Sequence, residues 1–333
     1  KNGEPGMLNG YLGNKMSGIW YKYPLVSTNP CGEIMMGADD CCCLGALVLP
    51  RFVVGSTVAW SLLRETVRNS VRFLDNVISV NNYPLPQIKA MCNEIRRIGL
   101  GVTGLHDMLL TLGLKYNSAE GLELVNKLMN FIKNAAYEAS ADLAKEKGAF
   151  PAFVSDLYLK GGFAKTLKPS LRAKIKEQGM RNCALLTIAP TGTTSIVCDV
   201  TSGIEPMFSV AHIRRYRDKN DEFQTEMVIH PLFAKFLAEG KDISHFQGSH
   251  DLSMRDHFEM QRVCQRHIDN AVSKTVNVPQ GTSAEELSDL YMEFFPDLKG
   301  ITVYPEGSRP NQPLTPIPLE DAVKAVNGNK GVL

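Results

Sequence analysis

Hydrophobic positions recur with helical spacing in several long segments of the chain. Between about Ser56 and Ser79 the apolar residues lie three and four positions apart, which would form one stripe of a helix: Val67, Val71, Leu74 and Ile78. A second long helix is predicted from about Ala119 to Lys147, with Gly148 and Pro151 ending it. Shorter helices are predicted at Leu105–Leu112, near Arg255–Ser273 and at Ala284–Phe294.

Short apolar runs lie between these helical segments and predict buried strands. They occupy residues 44–54, 97–104, 184–188, 275–279 and 300–304. Strands that alternate with helices indicate βαβ units and mainly parallel pairing. The sequence therefore predicts an α/β fold. Because no linker-like segment, internal repeat or low-complexity tract divides the chain, we treat residues 1–333 as one body.

Composition and charge are those of an ordinary globular protein and exclude several classes of function. The chain has 36 Lys and Arg against 35 Asp and Glu, a net charge of +1, which gives no electrostatic reason to expect a nucleic-acid or membrane partner. No apolar run reaches the length of a membrane span, and Lys1–Glu4 lacks the apolar stretch of a signal peptide. The first residue is not Met, so we expect the chain to start inside a longer reading frame or to be a processed piece.

Half of the eight cysteines fall close together: Cys31, Cys41, Cys42 and Cys43. The others are interpreted as small buried hydrophobic residues: Cys92, Cys183, Cys198 and Cys264. This pattern is not a secreted disulfide scaffold, and in a reducing cytoplasm, the expected location, clustered cysteines suggest metal or redox chemistry. Adjacent cysteines without a nearby His do not reproduce a zinc knuckle, so no metal site is predicted.

The segment Asn-Pro-Cys-Gly-Glu at residues 29–33 could gather three chemically useful side chains. In an extended backbone, Asn29, Cys31 and Glu33 would lie on one edge. A neighbouring carboxylate raises the pKa of a thiol, which argues against a thiolate nucleophile and favours a cysteine that gives up a hydrogen atom while the carboxylate accepts a proton. The alternative is a turn in which Glu33 caps a backbone N–H and Cys31 only fills space.

A second candidate site follows the apolar run 184–188. The residues there are Pro190, Thr191, Gly192, Thr193 and Thr194. A Gly- and Thr-rich turn that opens a helix presents backbone N–H groups and hydroxyls to an anion. The alternative is a plain capped turn, which is common wherever Ser or Thr begins a helix.

The chain resembles the large, catalytic subunit of ribonucleotide reductases, and the resemblance extends over almost its whole length. The motif at 29–33 is followed, eleven residues after Cys31, by Cys-Cys-Leu-Gly at 42–45, as in the finger loop of that family. Further blocks occur in the family's order: Arg96–Asp107, Ile188–Ser195, Thr201–Pro206, Asp269–Pro279 and Lys299–Arg309. Each block alone would be weak evidence for the resemblance, whereas together they are specific to the family.

The resemblance implies a role for each candidate residue. Cys31 matches the cysteine that becomes a thiyl radical and abstracts the 3′ hydrogen of the ribose. Glu33 matches the base for the 3′-hydroxyl proton, and Asn29 the amide that binds the sugar hydroxyls. Cys42 matches one of two cysteines that reduce the substrate and end as a disulfide. The loop at 190–195 resembles the one that holds the nucleotide phosphates.

The same resemblance implies the fold and the cofactor. It implies a ten-stranded α/β barrel of two parallel halves, of which this chain would hold the second half and the central finger loop, about residues 27–45. Pro30 and Gly32 in the first motif resemble the class that uses adenosylcobalamin. Class I enzymes relay the radical through an adjacent pair of tyrosines near the carboxyl terminus. We find no such pair in this sequence. Class I enzymes remain the alternative.

Partners follow from the resemblance as well. We expect a ribonucleoside di- or triphosphate as substrate, a thioredoxin-like reductant, a complementary amino-terminal half that carries the partner of Cys42, and a homodimer as one assembly. The usual carboxy-terminal cysteine pair is missing from 328–333. Two cysteines depart from the family pattern: Cys43 stands where Asn is usual, and Cys41 precedes Cys42. These extra thiols could scramble the disulfide or only fill space. A non-catalytic fragment that assembles with or regulates a complete reductase is a further alternative.

Overall fold

The structure of the protein, a computed structural model, describes residues 6–217, 222–308 and 314–328. Lys1–Glu4, Arg309 and residues 329–333, which contribute to the predictions above, lie outside the described residues. The strands are β1 (Met7–Leu8), β2 (Ser27–Thr28), β3 (Met35–Met36), β4 (Leu44–Val48), β5 (Val53–Val54), β6 (Thr57–Val58), β7 (Gly99–Thr103), β8 (Ala211–Arg217), β9 (Phe223–Ile229), β10 (Thr275–Val278), β11 (Gly300–Pro305) and β12 (Leu314–Pro316).

The helices alternate with these strands over most of the chain. They are α1 (Gly10–Met16), α2 (Trp60–Val80), α3 (Pro86–Ile95), α4 (Leu105–Thr111), α5 (Ala119–Lys147), α6 (Ser155–Tyr158), α7 (Pro169–Gln178), α8 (Gly192–Cys198), α9 (Pro231–Ala238), α10 (Met254–Gln265), α11 (Ala284–Phe294) and α12 (Leu319–Gly328). No helix of the described residues is long and apolar enough to cross a membrane.

A series of parallel pairings runs through the centre of the molecule. β4 pairs in parallel with β7, and Leu100 of β7 forms a parallel bridge with Leu186. Ile188 bridges in parallel to Val272, and β10, which follows Val272, pairs in parallel with β11. The α/β content is as predicted, and this central series is parallel, but the expectation of mainly parallel pairing is wrong: most strand pairings among the described residues, including β1 with β11, are antiparallel, and these residues form no closed barrel. The other sheets are antiparallel: β12–β8–β9, the β2–β3 hairpin and the β5–β6 hairpin.

The largest apolar core lies between these strands and helices α2 and α5. The predicted stripe of α2 is buried: Val67, Val71, Leu74 and Ile78. Helix α5 has the predicted bounds, because the Ser118 side chain accepts a hydrogen bond from the Gly121 N–H at its start and Gly148 ends it with a φ of +85°. Pattern and capping residues therefore determine the two longest helices.

The glycines of β7 allow the strands to approach closely. A Cβ on Gly101 would overlap the carbonyl oxygen of Thr187, so only glycine leaves room for the segment 184–188. Gly104 ends the strand with a φ of +72° and directs the chain into α4. The structure thus agrees with a packing role for this stretch.

The structure corrects several predicted boundaries. The strand expected over 44–54 ends at Val48, because Pro50 lies in a 3-10 turn at Leu49–Phe52. The helix expected to continue to Ser273 ends at Gln265. Residues 184–188 make isolated parallel bridges rather than a regular strand.

Candidate active site

The motif at 29–33 forms the tip of the β2–β3 hairpin, and this tip is a tight turn. The Asn29 carbonyl accepts a hydrogen bond from the Gly32 N–H at 3.0 Å, and Gly32 has a φ of +78°. The Asn29 Oδ1 accepts from the Ile34 N–H at 3.0 Å and closes the turn. The predicted extended edge is therefore wrong, since Pro30 and Gly32 favour a turn that the Asn29 side chain stabilises.

Within this turn Cys31 and Glu33 lie in contrasting environments. Cys31 is exposed, whereas the Glu33 side chain is 2% exposed, and its Oε2 has no hydrogen-bond partner among the described residues. Burial raises the pKa of the Cys31 thiol, and the negative charge of Glu33 raises it further. This is the direction expected from the sequence, and it keeps the hydrogen on the sulfur at neutral pH.

The hairpin tip is attached to the parallel strands through the main chain of Glu33. Its carbonyl oxygen accepts hydrogen bonds from the Ala271 N–H at 2.8 Å and from the Thr187 hydroxyl at 2.7 Å. Thr187 lies three residues before Pro190, which is about 10 Å of extended chain. The finger loop and the loop at 190–194 are thus both attached to the end of the segment 184–188.

The loop at 190–194 is held by hydroxyl contacts and opens α8. Thr191 has a φ of +55°; its Oγ1 lies 2.9 Å from the Thr103 Oγ1 and accepts a hydrogen bond from the Gly203 N–H at 2.8 Å. Thr191 therefore positions the loop. Thr193 and Thr194 are exposed at the first turn of the helix, where backbone N–H groups have no partner within the helix.

Cys42 is exposed and lies within the field of the same carboxylate. Burial raises the pKa of Cys42, and the charge of Glu33 is the next largest cause. One buried carboxylate therefore influences both Cys31 and Cys42. Among the four predicted catalytic residues, the charge of Glu33 therefore acts on both Cys31 and Cys42. The fourth, Asn29, uses its Oδ1 within the turn.

The neighbours of Cys42 are half-buried and differ in their contacts. Cys43 Sγ lies 3.7 Å from the Leu74 carbonyl, whereas Cys41 Sγ lies 3.0 Å from the Sγ of Cys92. Cys41, Cys42, Cys43 and Cys92 line one cavity of about 220 Å³. Cys92 is buried, as expected, but it also contacts another cysteine. Cys198, which was expected to be buried, is half-buried. No signal in the sequence links position 92 to the cluster, because α3 brings them together only in the fold.

The motif blocks around these loops supply buried polar contacts. The Asp269 carboxylate accepts hydrogen bonds from the N–H groups of Leu185 and Leu186 at 2.8 and 2.7 Å. Lys299 Nζ donates to the carbonyl oxygens of Asp269 and Asn270, and burial lowers its pKa to about 8. These residues align the parallel segments that carry the two loops.

A second cavity, of about 630 Å³, opens at the carboxyl ends of β10 and β11. Its apolar wall includes Phe208, Val278 and Pro279, and its polar groups include His250, Asn277 and Glu306. Among the described residues no cluster of three or more His, Cys, Asp or Glu side chains is arranged to bind a metal ion.

Comparison with known proteins identifies the family of the chain. The family model described as "Ribonucleotide reductase, barrel domain" matches residues 1–304. The chain belongs to the ribonucleotide reductase family.

The chain is 34% identical to the vitamin B12-dependent ribonucleoside-diphosphate reductase of Mycobacterium tuberculosis (strain ATCC 25618 / H37Rv), over 94% of this chain and 45% of that protein. The enzyme of the same name from Thermoplasma acidophilum is 34% identical over 95% of this chain and 42% of its own length. The ribonucleoside-diphosphate reductase subunit alpha of Treponema pallidum is 31% identical over 75% of this chain. The chain thus spans less than half the length of the first two ribonucleotide reductases.

Proposed function

We propose that this chain is the part of a ribonucleotide reductase that carries the radical cysteine, and that it takes part in reducing ribonucleotides to 2′-deoxyribonucleotides. The observation that supports this most is the arrangement of Glu33. It is buried beside two thiols whose pKa values its charge raises, on a finger loop bonded to the strand that leads into a Gly- and Thr-rich loop.

The proposed chemistry begins at Cys31. A thiyl radical there takes the 3′ hydrogen of the ribose, and Glu33 accepts the 3′-hydroxyl proton. The 2′-hydroxyl then leaves as water once it is protonated. Because Cys31 must return a hydrogen atom at the end of the cycle, a raised pKa suits its role; a thiolate has no hydrogen to return.

Cys42 would supply one of the two reducing thiols. Two thiols give up two electrons and two hydrogens to the substrate and end as a disulfide, which a thioredoxin-like dithiol would reduce. The second thiol would come from the remaining length of the enzyme, on this polypeptide or another. That segment would also complete the ten-stranded barrel, of which the parallel series from β4 to β11 forms the second half.

The substrate would be anchored through its phosphates. The exposed hydroxyls of Thr193 and Thr194 and the N–H groups of the first turn of α8 would bind a ribonucleoside di- or triphosphate, with Pro190, Thr191 and Gly192 shaping the loop. Binding energy from this remote group would orient the ribose over Cys31.

Adenosylcobalamin is the proposed cofactor, since the two relatives matched over most of this chain are named vitamin B12-dependent. When bound, it supplies the radical that oxidises the cysteine. The cavity at the ends of β10 and β11 fits part of such a group, because Phe208, Val278 and Pro279 suit an apolar ring face and Asn277 suits its amide groups. A class I mechanism with a separate metal subunit is the alternative, favoured by the match to the subunit alpha of Treponema pallidum.

Reconstitution tests this proposal. The chain would be combined with the remaining segment of the enzyme, and deoxyribonucleotide formation measured with and without adenosylcobalamin. We expect turnover that requires the cofactor and falls to background in Cys31→Ser, whereas Cys198→Ser, a half-buried cysteine outside both loops, stays active. Turnover that requires a metal subunit instead would indicate class I. Turnover unaffected by Cys31→Ser would indicate a non-catalytic, regulatory role.

A further inference from the structure

Four sulfur atoms face one small cavity beside the finger loop. Cys41, Cys42 and Cys43 approach it from the segment that leads into β4, and Cys92 approaches it from α3. The cavity has a volume of about 220 Å³, which is large enough to admit part of a small thiol. The four cysteines therefore line one shared space.

Within this cavity Cys41 and Cys92 are in direct contact. Their Sγ atoms are 3.0 Å apart, closer than two unbonded sulfurs usually lie, so a movement of about 1 Å would bring them to the length of a disulfide bond. Cys43 makes its closest polar contact with the Leu74 carbonyl at 3.7 Å and has no comparable partner among the described residues. The fold thus selects one pair out of the cluster.

The contact also shifts the pKa values of the two thiols in opposite directions. The hydrogen bond with Cys41 lowers the pKa of Cys92, burial opposes that change, and the Tyr83 hydroxyl adds to the lowering. The same bond raises the pKa of Cys41. Cys92 is therefore the sulfur that attacks a disulfide, and Cys41 is the one that resolves the product.

We propose that Cys41 and Cys92 form a second redox-active dithiol that reduces a disulfide at Cys42. Cys92 gives up its proton, and the resulting thiolate attacks the Cys42 sulfur and displaces its partner, which takes up that proton and leaves as a thiol. Cys41 then attacks Cys92, gives up its proton and releases Cys42 as a thiol. A disulfide at Cys42 is reduced by two electrons, and the pair is oxidised to a Cys41–Cys92 disulfide.

The cavity explains why such a pair would lie there. Cys42 is exposed, so its disulfide partner can come from outside the chain, while Cys92 is buried and lines the cavity. A pair that takes over the disulfide frees Cys42 without a large reductant having to enter the site. The departures from the family pattern at 41 and 43 then have different explanations: Cys41 acts in exchange, and Cys43 is a packing residue.

The first experiment uses the complete chain alone and does not depend on reductase activity. The reduced protein is equilibrated with mixtures of reduced and oxidised dithiothreitol, trapped with iodoacetamide and mapped by mass spectrometry. We expect Cys41 and Cys92 to be lost from the alkylated pool together, as one two-electron couple. Cys43→Ser is the matched control and should leave this couple unchanged. Separate alkylation of the two cysteines at every ratio, or a disulfide that joins Cys43 instead, would overturn the proposal.

The second experiment follows the exchange itself. In a Cys31→Ser background, Cys42 is converted to its mixed disulfide with thionitrobenzoate, and release of the coloured thiol is followed without added reductant. We expect release to leave a Cys41–Cys92 disulfide, and to slow at least about tenfold in Cys92→Ser and Cys92→Ala but not in Cys43→Ser. Equal rates in all variants, with matching circular dichroism spectra, would contradict the relay. Failure here leaves ribonucleotide reduction untouched, because that is measured separately with external reductant.

Discussion

A single carboxylate governs the chemistry of two sulfurs at the residue scale. Glu33 is buried, its Oε2 has no hydrogen-bond partner among the described residues, and its charge acts on both Cys31 and Cys42. Leaving a carboxylate this poorly solvated costs folding free energy, and such costs are common where a group must remain free to react. The site therefore favours protonated thiols over thiolates.

Removing that charge should make both thiols more reactive towards alkylation. In Glu33→Gln, burial still raises the two pKa values, but the contribution of the negative charge is lost, so each pKa falls and the thiolate fraction at pH 8 rises. We expect iodoacetamide to modify Cys31 and Cys42 about two- to tenfold faster, as measured by mass spectrometry across pH 7 to 9.

Glu65→Gln is the control for this prediction, because Glu65 is exposed on α2 and remains far from the cluster in sequence. Its alkylation rates should equal those of the unmodified protein. Unchanged rates in Glu33→Gln would show that this carboxylate does not act on the two thiols.

Individual contacts explain which site residues could be predicted from the sequence. Cys31 and Glu33 form a pair because they are two residues apart, so their mutual influence could be predicted. The turn is only the alternative from the sequence, because residues 29–33 do not show whether the Asn29 side chain binds a substrate or accepts a hydrogen bond from the Ile34 N–H. The pairing of Cys41 with Cys92 was equally hidden, because 51 residues separate the two sulfurs.

At the scale of elements, α4 joins the central strands to the segment that follows α8. The Nδ1 of His106 on α4 accepts a hydrogen bond from the Met207 N–H at 2.8 Å, which requires the neutral ring. Burial is the largest cause that lowers the pKa of His106 to about 3, and nearby histidines and Lys274 contribute to the same shift. In the unfolded chain this pKa is about 6.5.

This difference predicts that acid weakens the fold through α4. Between pH 6.5 and 3 the unfolded state binds a proton that the folded ring does not, so stability is complete above pH 6.5 and falls as the pH drops towards 3. The loss is up to about 1.4 kcal/mol per pH unit for this group. In His106→Asn, the Oδ1 can still accept a hydrogen bond from the Met207 N–H. The free energy of unfolding, measured with urea at pH 7, 6 and 5, should therefore depend on pH with a slope smaller by about one proton.

His250→Asn provides the comparison, because it makes the same substitution at an exposed histidine rather than a buried one. A slope reduced equally in both variants would mean that burial at position 106 is not the cause. An undiminished slope in His106→Asn would show that other groups account for the acid sensitivity. His257 is one such group, since burial and Lys274 lower its pKa to about 3 as well.

Element boundaries were predictable where local signals decide them. The stripe of α2 and the caps of α5 can be read from spacing and from Ser118 and Gly148. The segment 184–188 was harder, because its alignment comes from the Asp269 carboxylate and the space beside Gly101, both distant in sequence. The antiparallel β8–β9 pair carried no comparable pattern and was not predicted.

At the scale of the whole molecule, the parallel series ends in an unpaired edge. Among the described residues β4 pairs with β7 on one side and with no strand on the other, and Leu44 on this strand is 40% exposed. Unpaired strand edges with apolar side chains invite pairing with another chain. The relatives are more than twice as long as the matched region, so a further segment that covers this edge is consistent with the proposed half-barrel.

A charge at this edge should therefore weaken assembly more than a charge elsewhere. We expect Leu44→Asp to lower the affinity for the remaining segment of the enzyme at least about tenfold in calorimetric titration, because the carboxylate would be desolvated against the incoming strand. Leu62→Asp places the same charge on a leucine of α2 that is also exposed, and this variant should bind normally. If both variants bind alike, the segment docks elsewhere and β4 is not the junction between the two halves. If Leu44→Asp instead abolishes self-association of the isolated chain, the edge serves a homodimer, and the barrel must be completed in another way.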